Sequence, residues 1–328
     1  MNAFQEDILD AAVGIFILRS RYRRQHRRNV RLPPIEPIIR PRIFRERLAM
    51  LDKLSDGKIV SMFRLKREAI LELYAHISED TEPLMGRSHA VPGMCKLLAV
   101  LYLVANGSFQ HVIYQVIGIS QSSMSRIIPQ VFDAILKLTR NYIYFPSNNE
   151  AWQALKLGFY QLGGMPNVLG AIDCTHVMIV PPRANEEQFR NRKNTHSISV
   201  QVVCDYKMQI LSVCSGFPGS CHDSFILQQS ALREKFVSGN MPDGWLVGDA
   251  GYGCQPWMLT PLLNPENQPE MQYNLAHRKT RGVIERTFGV LKSRFRCLDK
   301  SGGWLLYDPN SSVATIHELE LKKYINVV

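Results

Sequence analysis

Residues 168–180 read Val-Leu-Gly-Ala-Ile-Asp-Cys-Thr-His-Val-Met-Ile-Val, an apolar stretch interrupted near its middle by one carboxylate. A strand that faces water on one side alternates. A near-continuous apolar run of strand type marks a strand covered on both faces. This run therefore commits the chain to a layered fold with a central sheet. Asp173 is costly in such a strand unless a cation or hydrogen bonds compensate it. Asp249 repeats the pattern, since it ends the run Trp245-Leu246-Val247-Gly248. With Asp223 and Glu285 there are four such acids, and their spread along the chain suggests one cation shared among them.

The periodicity divides the chain. Residues 1–47 form an Arg- and Pro-rich arm. From 48 to 162 the spacing is helical, as in Met62, Leu65, Ala69, Leu73 and Ile77. Gly163-Gly164-Met165-Pro166 marks a boundary. Beyond it the order reads strand (168–180), half-buried strand (196–204), hairpin partner (209–214), helix (Asp223–Phe236), buried strand (245–248), then helix. That order predicts an α/β domain over 163–312, a mixed sheet flanked by helices and preceded by an all-helical region. Residues 313–328 form a separate tail.

Charge narrows the function. The chain carries +10, and residues 1–47 hold eleven Arg against five acidic residues, which is +6 of it. An Arg-rich arm is a solvated tail, a phosphate-backbone binder or a nuclear localisation signal, so an anionic polymer is the expected partner. The seven Cys have no Cys-x-x-Cys spacing and no signal-peptide pattern accompanies them. Reduced thiols and a nuclear or cytoplasmic location are expected. The apolar stretch near the N-terminus, 13–18, is too short for a bilayer, so no membrane role is indicated.

Each acid has a structural alternative. Asp173 could pair with Arg or His, Asp223 could cap the helix that follows it, and Asp249 could start the turn Ala250-Gly251-Tyr252-Gly253. Glu285 lies one residue, roughly 100°, off the apolar stripe Ile284, Phe288, Leu291, Phe295 of a helix expected over 281–295. It could lean over the sheet edge or simply pair with Arg281 at i,i+4. As a site, the four carboxylates suit hard divalent cations such as Mg²⁺ or Mn²⁺, which two-metal nucleases hold about 3.5–4 Å apart.

Several segments together carry a resemblance. They are Gly170-Ala171-Ile172-Asp173-Cys174-Thr175-His176, Gly219-Ser220-Cys221-His222-Asp223-Ser224, Gly248-Asp249-Ala250-Gly251-Tyr252 and Val283-Ile284-Glu285-Arg286-Thr287-Phe288-Gly289. The segments 118–126 and 292–299 join them. In this order they resemble the PIF/Harbinger family of DDE-type transposases, and within it the domesticated Harbinger transposase-derived nucleases, over roughly residues 60–312. The resemblance implies a ribonuclease-H-like fold and a metal site. In it Asp173 matches the strand-borne carboxylate, Glu285 the helical one, and Asp223 and Asp249 both match acidic positions. It also implies a Myb-like partner protein that assists DNA binding. The tail departs from the family pattern after about Ser312, as an altered or truncated end.

DNA contacts are expected in two places. Residues 111–117, a turn at Gly118-Ile119, and 120–136 read as a helix-turn-helix with Ser120 as N-cap, which puts Ser122, Ser123 and Arg126 at the exposed start of the second helix. An ordinary helical hairpin is the alternative. Basic residues flank the acids: Arg190, Arg192 and Lys193 between the first two strands, and Arg286 and Lys292 around Glu285. The favoured reading is a divalent-metal-dependent DNA nuclease; the rival is an inactive DNA- or protein-binding adaptor that kept the fold. Oligomeric state is open, with a homodimer among the options.

Overall fold

The computed structural model describes residues 51–83, 90–107, 110–180, 186–300 and 305–306. The basic arm over 1–47 and the tail over 313–328 lie outside the described residues. No helix among the described residues is long and apolar enough to cross a membrane.

The first region is helical. α1 (Asp56–Phe63) ends where Arg64 turns left-handed, and α2 (Arg67–Thr81) follows. α3 (Gly93–Asn106) is apolar almost all round and becomes the centre of the region, with α1, α2 and the next two helices packed about it. Those two are α4 (Gln110–Ile117) and α5 (Gln121–Leu136), joined through Gly118 at φ 77° and the buried Ile119. The Ser120 side chain accepts from the Ser123 N–H and so caps α5, as its position before the apolar periodicity predicts. α6 (Thr139–Tyr142) is a single turn, and α7 (Asn149–Gly163) leads to the boundary at Gly164.

The sheet is built on β1 (Val168–Val180). β2 (Ser197–Cys204) and β3 (Ile210–Pro218) continue it antiparallel on one side, and β4 (Trp245–Val247) and β5 (Met258–Leu259) continue it parallel on the other. The order β3-β2-β1-β4-β5 is the ribonuclease-H-like arrangement. A two-residue strand, β6 (Leu305–Leu306), pairs with the far end of β1.

Four local expectations change. β2 is buried on all eight residues, not half-buried, because two helices pack against it. On its polar side the Ser197 and Ser199 hydroxyls lie 3.1 and 3.3 Å from His176 Nδ1, while the buried Gln201 Oε1 has no hydrogen-bond partner among the described residues. The helix expected over Asp223–Phe236 is two, α8 (Asp223–Gln229) and α9 (Ala231–Val237), because the Ser230 side chain accepts from Arg233 N–H and starts a second helix. β5 stands where only helix was expected after β4.

The last helix, α10 (Gln268–Arg294), begins thirteen residues before Arg281. Asn267 caps it by accepting from Glu270 N–H. α7, read from sequence with the helical region, packs on β1 and α10. The contact is tight: a Cβ on Gly163 would stand 2.1 Å from the Thr280 hydroxyl, and one on Gly158 would strike the Tyr206 ring.

Candidate metal centre and nucleic-acid interface

Three of the four sequence-identified acids converge. Asp173, Asp223 and Asp249 each offer a carboxylate oxygen, and these oxygens lie within 4.8 Å of one another. Each arrives on a different element. Asp173 is carried by β1, paired across from Val202 on β2, with Oδ1 accepting from its neighbour's Cys174 N–H at 2.8 Å. Asp249 follows β4 through Gly248, where a Cβ would sit 2.9 Å from the Tyr252 ring and 3.1 Å from Ile172. Its Oδ1 accepts from Gly251 N–H and so starts the tight turn, as one sequence alternative proposed, while its carboxylate still joins the cluster. Asp223 opens α8, but the capping position belongs to His222.

Close approach of these acids is electrostatically unfavourable. Burial pushes the Asp173 carboxyl up to about 6, and the neighbouring Asp249 and Asp223 add to the rise against the Cys174 N–H and Arg281. Burial also raises Asp223, with Asp249 contributing. The donors are all hard oxygens, and their mutual repulsion favours a cation among them, which is the behaviour of a divalent-cation site. Under the cluster, the Cys174 thiol meets the Tyr252 hydroxyl at 3.3 Å. Burial drives the Cys174 thiol and the Tyr252 phenol well above their ordinary values, so both stay protonated.

Glu285 does not join the three. It is exposed on α10 and its carboxylate is bound by Arg281 one turn earlier, the i,i+4 pair that the spacing allows. Arg281 reaches further than sequence indicates, because Nη1 also donates to Asp173 Oδ2 at 3.0 Å. Arg281 thus links Asp173 on the sheet to Glu285 on the helix. Sequence reading allowed Asp173 an Arg partner but did not identify Arg281, since nothing local connects residues 108 apart.

The basic residues fall into distinct places. Arg190, Arg192 and Lys193 project from the loop between β1 and β2, which the buried Asn191 pins by accepting from Lys193 N–H and Thr195 N–H and donating to Ser197. Arg192 reaches His222, beside Asp223, at 3.0 Å. Lys292 crosses from α10 to the carbonyl of His176 at 2.9 Å, and burial lowers its pKa with Lys193 contributing. Burial also lowers His176, opposed by Asp223 and reinforced by Lys292, Lys193 and Arg192. Arg192, Lys193 and Lys292 therefore share one neighbourhood at the edge of the acids. Arg286 is exposed on α10. Ser122, Ser123 and Arg126 lie at the start of α5 in the helical region, with the Ser122 and Ser123 hydroxyls 3.1 and 3.0 Å from Ser120 Oγ.

The comparisons with known proteins agree with this architecture. Residues 172–314 match the family model described as DDE superfamily endonuclease. Human HARBI1, whose name marks it as a candidate nuclease, is 39% identical over 84% of this chain and 81% of its own length. The mouse HARBI1 is 41% identical over 79% of this chain and 74% of its own. An ALP1-like protein of Arabidopsis thaliana is 27% identical over 62% of the chain and 53% of its own. No solved structure matches. With the ribonuclease-H-like sheet and the strand-borne acids, these likenesses place the chain in the DDE-type, Harbinger transposase-derived family of HARBI1.

Proposed function

We propose that this protein is a divalent-metal-dependent endonuclease that hydrolyses phosphodiester bonds in DNA. The observation that carries the reading is the convergence of Asp173, Asp223 and Asp249 beside a cationic edge made by Arg192, Lys193 and Lys292. The three carboxylates would hold Mg²⁺ or Mn²⁺. When bound, such a cation supplies charge stabilisation at the scissile phosphate and acidifies water.

The chain's own groups do the rest. The Cys174 N–H and the Gly251 N–H fix one oxygen each of Asp173 and Asp249, so the ligand set is oriented before any ion arrives. Arg192, Lys193 and Lys292 attract the backbone phosphates and hold them at the rim of the acids. Lys292 is anchored by the His176 carbonyl and cannot drift from that rim. Ser122, Ser123 and Arg126 would extend the contact to a second stretch of duplex. The mixture of acids at the centre and bases at the rim fits a polyanionic substrate that reaches the carboxylates only with a metal present.

The test is nicking of supercoiled plasmid by the purified full chain with Mg²⁺ or Mn²⁺. Expected is conversion to open-circular and linear DNA that EDTA stops and that Asp173→Asn and Asp249→Asn abolish. Retarded mobility of the DNA without any cutting, under both metals, would replace the enzyme reading by the adaptor.

A further inference from the structure

We infer that Arg281 is a built-in counter-cation of the metal centre, which a divalent ion must displace from Asp173. The inference rests on the metal reading above and deepens it. Its basis is the double contact of one guanidinium: Nη1 donates to Asp173 Oδ2 at 3.0 Å while Nη2 holds the Glu285 carboxylate. Arg281 is therefore the cation that serves this site when no metal is present.

Three features make the arrangement an exchange and not a fixed strut. Asp173 has one oxygen committed to the Cys174 N–H and the other to Arg281, so an ion arriving at Asp173 shares a carboxylate with the guanidinium. Two cations on one carboxylate repel, and the more loosely held one yields. Arg281 is that one, being on a long side chain whose remaining partner, Glu285, is itself 57% exposed. Asp173, by contrast, is anchored in a central strand and only 17% exposed. Finally, Arg281 and Glu285 lie one turn apart on α10. A guanidinium that leaves Asp173 keeps Glu285 as its partner and so stays paired on the helix. Arg281 is thus a positioning residue: it sets how much metal the site requires.

The experiment is Mn²⁺ titration by calorimetry on the full chain, paired with thermal denaturation in EDTA. Arg281→Gln is expected to lower the melting temperature in EDTA, because Asp173 loses its counter-charge. It should at the same time tighten Mn²⁺ binding roughly three- to tenfold, the gain from removing one competing ion pair. A residue of merely structural importance would lower both. Adding Glu285→Gln to Arg281→Gln should leave that gain in place, because the competing guanidinium is already absent. Arg281→Lys keeps a charge but cannot bridge both carboxylates, and it gives a smaller gain of the same sign if the glutamine variant fails to fold. Unchanged or weaker Mn²⁺ binding in both Arg281 variants, with the unaltered chain still binding, overturns the exchange and leaves the aspartate site standing. No Mn²⁺ binding by any of the proteins overturns the site itself, and the exchange with it.

Discussion

Asp173 is held against its own preference. Its carboxyl is raised from 3.8 to about 6, first by burial and then by the other two aspartates, so the folded state favours the protonated form. The linkage follows directly. Stability contributed by this group is fully present below the unfolded value near 3.8 and is lost as pH rises through about 6. Above that, the metal-free protein carries a strained anion costing roughly 1–3 kcal/mol. Asp173→Asn should therefore raise the urea midpoint in EDTA at neutral pH, and the difference from the unaltered chain should shrink to nothing below about pH 4. Equal midpoints at neutral pH would mean that Arg281 already compensates the charge in full. By the same titration, Mn²⁺ affinity of the unaltered chain should fall as pH is lowered through about 6, because protons compete for the ligand. Under the proposed metal role, activity and stability oppose each other at this residue, which is how a site retains a group that the fold alone would discard. Asp173 was legible in the sequence for this reason: an acid inside an apolar strand stands out. Arg281 was legible only as a neighbour of Glu285, because its other partner is brought to it by the folded sheet.

α10 shows where local pattern stops being informative. Its second half buries Val283, Ile284, Thr287, Leu291 and, just beyond its end, Phe295; Ile284, Leu291 and Phe295 belong to the stripe that predicts a helix, whereas its fourth member, Phe288, is only partly buried. Its first half is mixed, with Met271 and Leu275 exposed, and what it buries fully there is His277 and Thr280. Those residues give no periodic signal, since their burial depends on α7 and β5 arriving from elsewhere. Capping chemistry was the available clue: Asn267 and Glu270 exchange hydrogen bonds around Pro269 near the first turn. The glycines of these two helices make opposite predictions. A Cβ on Gly289 would meet nothing within 4 Å, so Gly289→Ala should stabilise the protein by about 1 kcal/mol through helix propensity. Gly163→Ala must push its Cβ into the Thr280 hydroxyl, and overpacking of that kind costs roughly 1–3 kcal/mol. Chemical denaturation of the pair measures both signs, and a destabilising Gly289→Ala would show that the bare helix face there has a partner. The loop between β1 and β2 makes a third case. Asn191→Ala removes the pins from Lys193 and Thr195. It should weaken DNA binding without changing the number of charges. Arg192→Ala with Lys193→Ala should instead flatten the plot of log affinity against log salt by about 2 units. Filter binding at a series of salt concentrations separates the two effects.

The two regions that sequence periodicity divides share one apolar core. Its members run from Ile59 and Phe63 through Leu97, Phe132 and Phe159 to Ile172, Val203 and Leu291 without a break. The short 3-10 segment Arg296–Leu298 that follows α10 joins them directly, since it packs against α3 at the centre of the helical region. Phe295, Cys297 and Leu298 are all buried there. The boundary at Gly163-Gly164 is thus a change of secondary structure and not a change of core, which a one-dimensional pattern cannot distinguish. The consequence is cooperative unfolding of both regions, and tryptophan placement makes it measurable. Of the four Trp, at 152, 245, 257 and 304, three follow the boundary at Gly163-Gly164 in sequence, whereas far-UV circular dichroism senses helices of both regions. In the unaltered chain the two signals should therefore change together during denaturation. Leu298→Ala removes a buried anchor at the junction, at a cost of roughly 2–5 kcal/mol. If the junction carries the coupling, the variant's dichroism transition should begin before its fluorescence transition, because the helical region then melts ahead of the sheet. Coincident curves in the variant would put the coupling elsewhere, in the packing of α7 on β1 and α10.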